Sequence, residues 1–132
     1  MLFVTFIAFG LIFLLLDILW LKSIGNFYKE QLGSLLLKKP NMKAAILFYI
    51  LYVTLITILV IYPAASSGNA LLGYVALNAA LLGLLAYATY DLTNMATLKN
   101  WSWKLVAIDI MWGMVATAGA ASAAYVVVTG IL

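Results

Sequence analysis

The sequence predicts an all-α integral membrane protein, with four transmembrane helices in an up-down bundle, and three observations lead there. Of the 132 residues 67% are hydrophobic and mean hydropathy is +1.17, more apolar surface than so short a chain can hide from water by folding on itself. Four apolar stretches, about 1–24, 44–62, 70–94 and 105–130, each approach the roughly 20 residues a helix needs to cross a bilayer. Charge is confined to two blocks, because residues 1–16, 44–90 and 110–132 carry none.

The first stretch has no basic residue ahead of it, is too long for a secretory signal and is followed by no small-residue cleavage site, so it is expected to remain as a membrane helix. One face of it carries Gly10, Phe13, Asp17 and Trp20. The connection that follows, GNFYKEQLGSLLLKKPNMK, places Phe27, Tyr28, Leu32, Leu35 and Leu36 on one helical face and Lys29, Glu30 and Lys38 or Lys39 on the other. That pattern predicts a short interfacial helix in the first cytoplasmic loop, at the headgroups, although Gly33 counts against it.

Pro40 and Asn41 form a start signal for the second span, and Pro63 marks its expected end. This span has no acid, but Tyr49 and Tyr52 lie three residues apart. In the third span Gly73, Ala76, Ala80, Leu84, Tyr87, Asp91 and Asn94 fall near one line of an α-helix, and in the fourth Leu105, Asp109, Trp112, Gly113, Ala116, Ala120 and Ala123 do the same. Small residues fill one half of both faces and polar or aromatic ones the other, so spans three and four are expected to pack tightly at one end and splay around a polar chamber at the other.

All seven lysines lie in or beside the first and third connections, and the second, PAASSGN, has none. The positive-inside rule then puts both lysine-rich connections in the cytoplasm and both termini outside, as in a multi-pass protein of the bacterial cytoplasmic (inner) membrane. The lysine excess reads as topology, so no nucleic acid is expected as a partner. Cys, His and Arg are absent, which removes disulfides, thiol chemistry and the usual zinc and haem ligands. Neither a metal nor a cofactor is expected.

Three aspartates set the functional question. Asp17 and Asp109 are each five residues from the nearest lysine and Asp91 is eight away, so the three- or four-residue spacing of a helical ion pair is missed. An aspartate facing lipid near mid-membrane costs about 2.5–3.5 kcal/mol, which turns these side chains inward. The expected chamber is Asp17, Asp91, Asp109 and Asn94, walled by Tyr49, Tyr52, Tyr87, Trp20 and Trp112. Trp20, Trp101 and Trp103 also suit interfacial anchors. The same carboxylates admit a purely structural reading, in which they reach for water or hold the bundle by interhelical hydrogen bonds.

The segments DILWLK, FYKEQLG, FYILY, AYATYDLTNMATLKNW and DIMWG, in this order and spacing, resemble a bacterial family of small predicted membrane proteins of unknown function, over nearly the whole chain. The resemblance implies a small polytopic membrane protein and supplies no activity. Three functions are weighed from the residues. The first is a binding or transport protein whose acidic chamber takes a proton, a cation or a small cationic molecule, with a second copy of the chain as partner. The second is an intramembrane enzyme acting on lipid, since two aspartates can share a proton and activate water. The third is a non-catalytic assembly subunit that meets membrane lipids or a partner through its small-residue faces and basic connection.

Overall fold

The computed structural model describes residues 1–131. Helix α1 (Leu2–Leu32) ends in a 3₁₀ turn at Gly33–Leu35 and is followed by α2 (Met42–Ser67), α3 (Leu72–Thr97) and α4 (Trp103–Ile131). All four helices are long and apolar enough to cross a membrane. The lysines cluster at the end formed by the α1–α2 and α3–α4 connections; the start of α1, the end of α4 and the α2–α3 turn lie at the other end.

Two boundaries differ from the expectation. The predicted interfacial helix is not a separate element, because its first half continues α1. Phe27, Tyr28 and Leu32 pack on Trp101, Leu105 and Val106 at the start of α4, which holds this stretch upright. The Ser102 hydroxyl donates to Gln31 across the same contact while accepting from the Leu105 N–H at 3.0 Å, so one side chain starts α4 and ties down α1. The helix stops where Gly33 takes φ 52°, a left-handed value that favours glycine.

Helix α2 starts as expected, with Asn41 accepting from the Ala44 N–H at 3.3 Å, but it does not end at Pro63. A proline ring clashes with the carbonyl one turn earlier in a regular α-helix. Here the preceding turn, Thr57–Ile61, widens to π geometry and the helix continues to Ser67.

Lipid-spanning packing is inside-out relative to a soluble bundle. Leucines such as Leu11, Leu59, Leu77 and Leu85 face outwards, while α3 and α4 meet through Ala79, Gly83, Gly113, Ala116, Thr117, Ala120 and Ala121. Small side chains let the backbones approach, which drives association where apolar burial gains nothing over lipid. The expected tight contact of spans three and four is therefore present, but its line is different. Gly73 and Ala123, expected inside, are exposed. The seam runs through Val75, Ala79 and Gly83 on α3 and through Leu105, Asp109, Gly113, Thr117 and Ala121 on α4, four residues apart each time. Such a ridge drifts by about 40° per step from a straight line along the helix, so a fixed face misses its ends.

Beside this seam the hydroxyls of Tyr52 on α2 and Thr117 on α4 are 2.7 Å apart and buried. Hydrogen bonds between membrane helices average about 0.6 kcal/mol. Tyr52→Phe is expected to lower the unfolding free energy by about that amount in mixed micelles; no loss at all would show that water or lipid takes over the bond.

Candidate functional site

The first half of α2 (Met42–Ile56) touches chiefly α1, whereas its π turn touches α1, α3 and α4. Helix α2 therefore leans away from α3 and α4 towards the lysine end, and the wedge it leaves is a cleft of about 470 Å³. Helix α1 lines it with Asp17, Trp20, Leu21 and Tyr28, α2 with Phe48, α3 with Ala86, Tyr87 and Tyr90, and α4 with Asp109 and Trp112. The volume lies within the roughly 300–1,000 Å³ of small-molecule sites. Its back wall depends on one glycine: the Tyr87 ring lies over Gly113, where a Cβ would overlap it.

Two hydrogen-bonded chains, joined by a stacked pair of indoles, run along the cleft. The Tyr49 hydroxyl donates to Asp17 Oδ2, and Trp112 Nε1 donates to Asp17 Oδ1 at 3.1 Å. The Trp112 indole stacks on that of Trp20, with ring centroids 4.3 Å apart and planes 3° from parallel. Trp20 Nε1 then donates to the Tyr28 hydroxyl at 2.9 Å, and Tyr28 donates to Asp109 Oδ1 at 2.8 Å. The DILW and DIMW segments thus face each other, each supplying one carboxylate and one half of the indole pair. A buried carboxylate is tolerated only where donors surround it, and the two that line the cleft have them.

Asp91 is different. It is fully buried behind the cleft, with its carboxyl against that of Asp109, yet neither of its oxygens has a hydrogen-bond donor among the described residues.

Of the three carboxylates expected in one chamber, Asp17 and Asp109 line the cleft and Asp91 lies behind it. Asp91 meets Asp109, Asp17 is bonded to Tyr49 and Trp112, and no group of three acids close enough to hold a metal exists among the described residues. The reason is the seam drift: it carries Asp91 into the α3–α4 contact instead of leaving it open to α1. Of the other expected residues, Tyr87, Trp20 and Trp112 line the cleft, Tyr49 supports it through Asp17, Tyr52 is spent on Thr117, and Asn94 lies outside it. Trp101, expected as an interfacial anchor, is buried against Tyr90.

Sequence reasoning missed Tyr28, Tyr90 and Phe48 as lining residues. The signal for Tyr28 was present: Asp17, Trp20, Ile24 and Tyr28 continue one stripe at helical spacing, hidden by ending the first span at residue 24. No curated protein and no solved structure matches the chain. A family model described as a predicted membrane protein matches residues 2–126, and the chain belongs to that family, DUF2177.

Proposed function

We propose that the protein binds a lipophilic organic cation in the cleft at its lysine end. The observation that carries this reading is the lining itself: two carboxylates among six aromatic rings, with no basic side chain. Carboxylates attract positive charge in a low-dielectric setting, and the faces of Trp and Tyr add cation–π attraction. Because Tyr49, Trp112 and Tyr28 already hold Asp17 and Asp109 in place, little side-chain order is left to impose on binding. The positive-inside rule puts this end in the cytoplasm of a bacterial cell, so the ligand is taken from that side and both termini face outwards.

The burial of Asp91 favours binding over lipid hydrolysis. A paired-aspartate hydrolase needs water and substrate to reach both carboxyls, and Asp91 is fully enclosed. The test compares two ions of one shape and opposite charge. Purified protein in neutral detergent is titrated by calorimetry with tetraphenylphosphonium and with tetraphenylborate. Saturable heat is expected for the cation and only partition heat for the anion; equal behaviour of the two would refute the reading.

A further inference from the structure

We infer that Asp91 and Asp109 form a buried proton site that is emptied when a cation occupies the cleft; this deepens the proposed binding function and rests on it. The starting point is the mismatch at Asp91. Its side chain is fully enclosed and both oxygens lack a donor, while the group against it is another carboxyl. Two ionised carboxylates can only accept, so facing one another they repel and leave four oxygens with too few donors. One proton between them changes both terms at once, making one carboxyl a donor to the other and halving the charge.

The surroundings offer no other neutralising group. Helix α1 presents the Tyr28 hydroxyl, whose proton is already directed at Asp109 Oδ1. Helix α3 adds Tyr90 beside Asp91, and α4 adds Asp109 itself. The one charged residue of α2 is Lys43, in its first turn, and the tyrosines α2 sends inward, Tyr49 and Tyr52, are bonded to Asp17 and Thr117. Lys104, the lysine nearest in sequence to Asp109, lies with its ammonium 5.5 Å from the centre of the Phe27 ring.

Position makes this site an exchanger rather than a fixed structural bond. Asp109 lines the cleft and Asp91 stands behind it, so a cation in the cleft contacts one member of the pair and the proton resides on both. The charges balance. Before binding, the pair with its proton carries one negative charge; afterwards two carboxylates and one cation carry the same. One proton leaves to water for each cation that enters, and the low-dielectric interior holds no additional charge in either state.

Two measurements separate this inference from the binding reading beneath it. In the first, without ligand, infrared spectra at neutral pH are expected to show the C=O stretch of a protonated carboxyl. The band should shift on labelling aspartate with ¹³C, which needs no variant to fold, and vanish in Asp91→Asn. In the second, a pH dye in weakly buffered detergent follows addition of tetraphenylphosphonium: about one proton per bound cation is expected from the wild type, and none from Asp91→Asn. Absence of the ¹³C-sensitive band, or cation binding without proton release, overturns the proton site. If tetraphenylphosphonium does not bind at all, the cation reading falls while the infrared result still decides whether the pair holds a proton.

Discussion

Gly113→Ala is expected to destabilise the bundle by about 3 kcal/mol, the upper part of the usual range for overpacking a filled site. The added methyl would fall within the Tyr87 ring, and across the seam a Cβ on Gly83 would lie 2.5 Å from the Gly113 carbonyl oxygen. The Gly83 contact is with backbone and no side-chain rotation relieves it, whereas the Gly113 contact is with the near atoms of the Tyr87 ring, which would have to leave its place on the seam. Gly73→Ala and Gly119→Ala, whose new methyls meet nothing within 4 Å, are expected to stay within about 0.5 kcal/mol of wild type. Unfolding in mixed micelles checks all three. Truncating the ring in a Gly113→Ala/Tyr87→Ala double variant should recover part of the loss, as coupling between touching residues requires. If Gly113→Ala unfolds like the two control variants, the close α3–α4 crossing is wrong.

Asp109→Asn is expected to weaken tetraphenylphosphonium binding about 30-fold, equivalent to ~2 kcal/mol, the lower end for removing one member of a buried charge pair. The amide keeps the shape and can still accept from Tyr28, whose bond to Oδ1 is 2.8 Å long, so the loss reports charge. Asp17→Asn should weaken binding less, since both Asp17 oxygens already have donors from Tyr49 and Trp112. Titration calorimetry on the folded variants reads both. A 30-fold loss in Asp17→Asn with none in Asp109→Asn would invert the roles assigned to the two carboxylates.

The fold was legible because its causes are local. Hydropathy marks four spans, Asn41 caps the second, and lysines gather at one end. What could not be read was how the helices twist around one another. The meeting of Asp91 with Asp109 follows from a ridge that rotates along α3 and α4. The continuation of α1 to Leu32 rests on tertiary contacts with Trp101, Leu105 and Val106, which no window on α1 contains. The local rule for Pro63 predicts a helix end, and the π turn before it supplies the exception. The indole pair was visible only as two similar tetrapeptides on antiparallel spans; that they stack is a fact of packing.

A cation residing between the aromatic walls and the two carboxylates can be located directly by anomalous scattering. In crystals of the protein grown with tetraphenylarsonium, the arsenic peak is predicted to fall inside the cleft, bounded by Trp112, Tyr87 and Asp109. An arsenic peak confined to the lipid-facing surface, with the cleft filled by ordered water, would contradict it.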